Sequence, residues 1–179
     1  MARYAAFLRA INIGGRRVKA AELCAPFESL GHTEVVSFRA SGNVIFDAEE
    51  RSAAKLTKAI EAQLERSLGY EVRTMLRTRA QLRAIAASEP FDPKLVDASD
   101  GKLQINVLER KLSAARTKKV LAMATDQDRL AVSGTEVYWL PSGGMMDSDL
   151  DQKALDELIG ISTRRTMGTV EAIVAKYFD

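Results

Sequence analysis

The stretch Glu34-Val35-Val36-Ser37-Phe38-Arg39-Ala40-Ser41-Gly42-Asn43-Val44-Ile45-Phe46-Asp47 decides the fold of this chain. Two runs, Glu34 to Arg39 and Asn43 to Asp47, flank Ala40-Ser41-Gly42, a β-hairpin pattern in which serine, glycine and asparagine tolerate the backbone of a tight reversal. Upstream, Tyr4 to Arg9 is apolar enough for a buried strand, and Gly14-Gly15 breaks it before a helical pattern opens at Val18. Ala20, Leu23, Cys24, Phe27 and Leu30 then recur at helical spacing up to a stop at Gly31. Pro26 falls inside this helix, where proline removes a hydrogen bond at a cost of about 3 kcal/mol, so a kink or a late start is expected. Downstream, Asp47 and Glu50 have capping-box spacing, Ala54, Leu56, Ile60, Leu64 and Leu68 line a helix ending at Gly69, and Tyr70 to Leu76 reads as a strand. The order is βαββαβ, the ferredoxin-like split βαβ arrangement.

The remainder repeats much of this plan. Thr78 and Gln81 form a capping box for a helix through about Ser88, and Pro90, Pro93 and Asp100-Gly101 mark a linker. Leu103 to Leu108 reads as a strand, Ser113 to Met123 as a helix, and Arg129 to Val132 and Val137 to Leu140 as a hairpin around Ser133-Gly134-Thr135. Ser148 and Asp151 then cap a helix ending at Gly160, and a helix from about Met167 to Phe178 stands where the repeat calls for a last strand. The expected fold is therefore α+β, with duplicated ferredoxin-like units, antiparallel sheets and C-terminal helices. Its domains are a first unit over 1–77, a helix and linker over 78–101, and a second, degenerate unit with a C-terminal helix over 102–179.

At 179 residues and 46% hydrophobic content the chain has ample material for a core, and disorder is not expected. Its single cysteine, Cys24, excludes an internal disulfide and points to the cytoplasm. The segment Met1 to Arg9 has the charges and shortness of a strand and not of a membrane span or signal peptide, so no membrane partner is expected. A formal net charge of +2 is too small for the whole molecule to act as a polyanion trap. Any anion site must be local.

Chain direction supplies one. In a βαββαβ unit the loop after the first strand and the following hairpin lie at the same end of the sheet. That brings Arg9, Asn12, Gly14, Gly15, Arg16 and Arg17 beside Arg39, Ser41, Gly42 and Asn43. Glycines let backbone N–H groups approach a ligand and arginine offers phosphate a two-pronged donor. The expected partner is a phosphate-bearing ligand: a nucleotide, a phosphorylated small molecule or a nucleic acid. A small hydrolase or transferase on a phosphoryl or acyl substrate, with Asn43 orienting water, is the alternative, and a protein-interaction module using the sheet edges is a third reading. Against each motif stands a plain structural role, since Gly-Gly and Ser-Gly-Asn are ordinary turn chemistry.

No cofactor is expected. The chain lacks the dinucleotide glycine fingerprint and the Walker phosphate loop, and one cysteine with one histidine leaves too few soft ligands for zinc. Cys24 and His32 read as packing residues in preference to a nucleophile and base. Phe7, Phe38 and Phe46, the strand aromatics a nucleic-acid binder would expose, read as core. Arg164 and Arg165, just before the last helix with Thr166 as its N-cap, read as solvated surface. The loop Pro141-Ser142-Gly143-Gly144 with Met145 and Met146 reads as a long turn in preference to a lid.

Three motifs, Phe7-Leu8-Arg9-Ala10-Ile11-Asn12-Ile13-Gly14-Gly15, then Ser41-Gly42-Asn43-Val44-Ile45-Phe46, then Thr163-Arg164 before a final helix, resemble the domain-of-unknown-function family DUF1697 over most of the chain. Two departures accompany the resemblance. Arg9-Ala10 stands in place of the family's usual Arg-Gly, and Arg165, Thr166 and Met167 occupy the region where its Thr-x-Arg-Asn-Trp pattern has asparagine and tryptophan. The resemblance implies a bacterial-type cytoplasmic protein with a duplicated ferredoxin-like fold and no established activity. Arg164, in the third motif, stands among the candidate ligand residues as an arginine that could reach an anion.

Overall fold

The structure is a computed structural model describing residues 1–100, 102–141, 143 and 145–179. It opens with strand β1 (Ala2–Leu8), helix α1 (Ala20–Ser29), strands β2 (Thr33–Ser37) and β3 (Asn43–Ala48), helix α2 (Ala53–Leu68) and strand β4 (Thr74–Thr78). Helices α3 (Arg79–Ala86) and α4 (Pro93–Ala98) follow. The plan then recurs as β5 (Gln104–Leu108), α5 (Ala114–Ala122), β6 (Asp128–Ser133), β7 (Glu136–Pro141), α6 (Gln152–Ile159), β8 (Ser162–Thr166) and α7 (Met167–Tyr177). Each set of strands forms one four-stranded antiparallel sheet, in the orders β2-β3-β1-β4 and β6-β7-β5-β8. The fold is α+β with duplicated βαββαβ units and C-terminal helices. None of the helices among the described residues is long and apolar enough to cross a membrane.

Two compact units result, one comprising 1–84 with 173–179 and the other 85–172. In the first, Tyr4, Ala6, Leu8, Val44, Phe46 and Leu76 present one face of the sheet to Leu23, Phe27, Leu56, Ile60 and Leu64 of α1 and α2. In the second, Leu108, Val137 and Trp139 pack with Val120, Leu155 and Ile159. The alternate strand positions Ala5, Phe7, Ile45 and Met75, and Ile105, Val107 and Tyr138, are buried as well, so the inner strands of each sheet are buried on both faces. That explains the near-continuous apolar runs of the central strands.

The duplication is geometrically regular. Ala5 faces Ile45 and Arg77 across the first sheet, and Ile105 faces Tyr138 and Arg165 across the second. Thr78 and Gln81 form the expected reciprocal box at the start of α3, where Gln81 N–H donates to the Thr78 hydroxyl at 3.3 Å and Gln81 Oε1 accepts from Thr78 N–H at 2.9 Å. Thr166 caps α7 in the corresponding place, accepting from Thr169 N–H at 3.3 Å.

Several expectations need correction. The second unit is not missing its last strand: β8 is present and pairs with β5, and α7 comes after it as α3 comes after β4. Strand β4 lies later than Tyr70 to Leu76, because pairing of Leu8 with Thr74 and of Tyr4 with Thr78 sets its register. Asp47 does not cap α2. It belongs to β3 and forms a two-pronged ion pair with Arg3 at 2.7 and 3.0 Å, while Ser52 takes the cap and accepts from Lys55 N–H at 3.4 Å. Asp151 alone caps α6, and Ser148 instead donates to Asp128 at 2.7 Å. Pro26 sits within α1, which nevertheless begins at Ala20 and runs on to Ser29, with Leu23 and Phe27 fully buried beneath it. The linker contains α4, capped by Asp92 with Pro93 at its first turn, and Gly101 lies outside the described residues.

Candidate functional site

The duplication is an internal control for which residues the fold requires. In the second unit five residues, 109–113, join β5 to α5, and two, Gly134 and Thr135, close the hairpin of β6 and β7. In the first unit eleven residues, 9–19, join β1 to α1, and five, 38–42, close the hairpin of β2 and β3. The second unit forms the same topology without this extra length. All of the surplus falls at one end of the first sheet.

Hydrogen bonds tie these two segments together. Asn12 Nδ2 donates to the Ala40 carbonyl at 2.7 Å, and its Oδ1 accepts from Val18 N–H at 2.6 Å. Leu8 N–H donates to the Gly42 carbonyl at 2.8 Å, and Arg9 N–H to that of Arg73 at 2.9 Å. The loop doubles back through a series of left-handed residues, Ala10, Asn12, Gly14 and Gly15, with φ of +60°, +56°, +60° and +82°. Gly42 has φ +80° and packs so tightly that a Cβ there would lie 2.9 Å from Cβ of Ile11.

This arrangement sorts the candidate residues. Asn12 is committed to the loop backbone. Asn43 is wholly buried and donates to the Phe38 carbonyl at 2.8 Å and to Ser41 Oγ at 3.0 Å, so it orients no solvent water, and the hydrolytic reading loses its key residue. Gly42 is required by backbone geometry, whereas Gly14, Gly15 and Ser41 are exposed. The exposed guanidinium groups of Arg9, Arg16, Arg17 and Arg39 remain, together with exposed Lys19. Arg16 is held in place by stacking, its Cζ lying 4.0 Å from the centre of the Tyr70 ring.

Arg164 belongs to the second unit and is not solvated surface. Its Nε donates to Asn106 Oδ1 at 2.9 Å, Nη1 to Gln152 Oε1 at 2.8 Å and Nη2 to Asp156 at 3.5 Å, and its Cζ stands 5.0 Å from the Trp139 ring. Burial lowers its pKa, partly offset by the Asp156 charge. Arg165 is buried more deeply, at 6% exposure, donates to Thr163 Oγ1 at 2.7 Å, and is lowered by burial to about 10, so it remains charged at neutral pH. Both arginines are parts of the sheet's packing. The Trp139 loop falls partly on Ser142 and Gly144, which lie outside the described residues; Met145–Asp147 forms a single 3₁₀ turn.

Burial raises the Cys24 thiol and lowers the His32 imidazole, so both favour their neutral forms, the opposite of an activated thiolate and imidazolium. Among the described residues no cluster of three or more histidine, cysteine or acidic side chains could hold a metal ion. A cleft of about 360 Å³ in the second unit, between the segment 86–97 and the start of α7, carries Glu89, Asp97 and Glu171 and no basic residue, so it does not suit an anion.

Phe7 and Phe46 are core, as expected, but Phe38 is not. It is half-exposed at the mouth of the hairpin, with Arg39 and Lys176 over its ring at 5.2 and 6.0 Å and the Tyr177 ring edge-on at 5.9 Å. The adjacency Phe38-Arg39 at a strand end was the available sequence signal. Lys176 and Tyr177 gave none, being distant in the chain.

No curated protein matches the chain. The fold is similar to that of the conserved bacterial protein SP0830 from Streptococcus pneumoniae, with a TM-score of 0.74 and 18% identity over 98% of this chain and 99% of that one. At that identity the likeness concerns the fold alone. The model of a family of proteins of unknown function, DUF1697, matches residues 1–138, a span that includes both the long loop and the hairpin, and the chain therefore belongs to the DUF1697 family.

Proposed function

We propose that the chain is a cytoplasmic binding protein for a phosphate-bearing ligand, a nucleotide or nucleic acid, held by the exposed guanidinium groups of Arg9, Arg16, Arg17 and Arg39. The observation that carries this reading is the surplus length of the loop 9–19 and the hairpin 38–42 over their counterparts in the second unit. Residues that the topology does not need, concentrated at one end and rich in arginine, suit recognition better than folding. Asn12 and Gly42 give the loop its shape, and the arginines supply the charge. The single cysteine supports the cytoplasmic setting.

The test is titration of nucleotides and short single-stranded oligonucleotides at low salt, comparing wild type with Arg16→Ala/Arg17→Ala and with Lys118→Ala on α5 as control. The double variant should bind at least about tenfold more weakly, and the dependence of log affinity on log salt should flatten by about 0.7 for each strand phosphate that the variant no longer neutralises. Equal affinity in wild type and double variant, or no binding by wild type, would overturn the reading.

A further inference from the structure

We propose that the ligand at this end of the first unit is single-stranded nucleic acid, its bases stacked on Phe38, Tyr177 and the Arg16–Tyr70 pair while its phosphates meet the neighbouring cations; this rests on the anion-binding reading above. Within the first unit these side chains form two groups, Arg16 on Tyr70 and Phe38 with Tyr177, Arg39 and Lys176. Tyr70 supports Arg16, whose loop is joined through Asn12 to Ala40 of the hairpin, and the hairpin presents Phe38 to Tyr177.

The Phe38 group is ordered before any ligand arrives. Phe38 N–H donates to the Asn43 carbonyl at 2.8 Å, and Asn43 Nδ2 donates back to the Phe38 carbonyl at 2.8 Å, which fixes the backbone that carries the ring. Tyr177 meets that ring nearly at right angles, 84°, and Lys176 lies 5.2 Å from the centre of the Tyr177 ring. Half-exposed rings, each beside a cation, are what a flexible strand needs, because every unpaired base has a face to stack and a phosphate close behind it. A planar guanidinium, such as that of Arg16 lying on Tyr70, is itself a stacking surface for a base. A duplex keeps its base faces within its own stack, and bare polyphosphate has none, so neither would use the rings. A ligand read by charge alone would need the arginines but not Phe38.

Fluorescence anisotropy with labelled oligo-dT and oligo-rU of about twelve nucleotides, within the span that such grooves cover, a duplex of similar charge, and inorganic polyphosphate as competitor separates the possibilities. Wild type should prefer the single strands to duplex and polyphosphate by about tenfold or more. Phe38→Leu, which keeps apolar bulk but removes the ring, should weaken strand binding about tenfold and leave competition by polyphosphate unchanged; Tyr177→Leu is the second variant should the first fail to fold by circular dichroism. Equal affinity for strand and polyphosphate, tighter binding of duplex, or indifference to both ring substitutions would overturn this inference while leaving the anion-binding reading in place. Absence of binding to every polyanion would overturn both.

Discussion

The Asn12 side chain reaches across 28 positions of sequence to the carbonyl of Ala40, at 2.7 Å, while its oxygen holds Val18 N–H at 2.6 Å. One amide therefore fixes both the shape of the long loop and its attachment to the hairpin. Asn12 also occupies a left-handed conformation, φ +56°, which asparagine tolerates better than alanine. Asn12→Ala should lower stability by about 1–3 kcal/mol, through the loss of its hydrogen bonds to two backbone groups and the unfavourable φ. Because Arg16 and Arg17 lie in the released loop, limited trypsin digestion should cut there faster in the variant. Unchanged cutting would mean the loop is held by something other than Asn12.

Gly42 and Gly14 both have positive φ, +80° and +60°, but only Gly42 is crowded: a Cβ added there would lie 2.9 Å from Ile11 Cβ, whereas one on Gly14 would meet nothing within 4 Å. Gly14→Ala should cost only the left-handed backbone term, about 1–2 kcal/mol. Gly42→Ala adds overlap with Ile11 in the buried seam between loop and hairpin, so its cost should exceed that of Gly14→Ala by roughly a further 1–3 kcal/mol, the range for overpacking. Urea denaturation of the two variants checks the ordering. Equal midpoints would show that the seam opens without cost.

His32 carries a pH dependence with a definite sign. Its Nε2 is buried without a hydrogen-bond partner and its ring packs on Phe46 at 4.8 Å, so burial lowers its pKa below the ordinary histidine value. In the unfolded chain the imidazole takes up its proton near about pH 6.5, before the folded one does. The unfolded state thus binds more protons as pH falls, and stability present above about pH 6.5 declines until the folded imidazole is protonated too. His32→Gln should flatten the change in urea midpoint between about pH 7.5 and 5.5, a window that brackets the unfolded titration, relative to wild type. Parallel declines would assign the effect to other groups.

What could be read in the sequence was local in origin. The Gly69 stop and the Thr78–Gln81 box each complete themselves within a few residues and stand as expected, and the Ser41-Gly42 hairpin forms where expected, although β2 ends at Ser37 and its loop widens to residues 38–42. Interactions that span the chain were not legible. Asp47 has the spacing of a helix cap, but its partner is Arg3, 44 positions away. Ser162–Thr166 carries five polar residues in a row and offers no apolar alternation, yet it forms a strand because β5 supplies an unpaired edge. Arg165 is buried there for the same tertiary reason. At the candidate site, topology correctly brought the loop to the hairpin, but residue type alone could not divide Asn12 and Asn43, which hold the backbone, from the exposed arginines.

Trp139, the chain's one tryptophan, reports on a buried polar junction in the second unit. Its Nε1 donates to Asp128 Oδ1 at 2.8 Å, and the same oxygen accepts from Ser148 Oγ at 2.7 Å; Trp139 is fully buried and Asp128 is 2% exposed. Removing the carboxylate strands the indole N–H away from water, which costs about 1–3 kcal/mol and admits solvent to the cavity left behind. Asp128→Ala should therefore lower the unfolding midpoint and shift the tryptophan emission to longer wavelength. Asp128→Asn, whose carbonyl oxygen can accept from both donors, should lose less stability and keep the emission near that of wild type. Ser148→Ala removes one donor and also the acceptor for Leu150 N–H at 3.0 Å, but leaves the indole paired, so it should destabilise without moving the emission. If Asp128→Ala matches wild type in both midpoint and emission, the carboxylate is not what satisfies the indole.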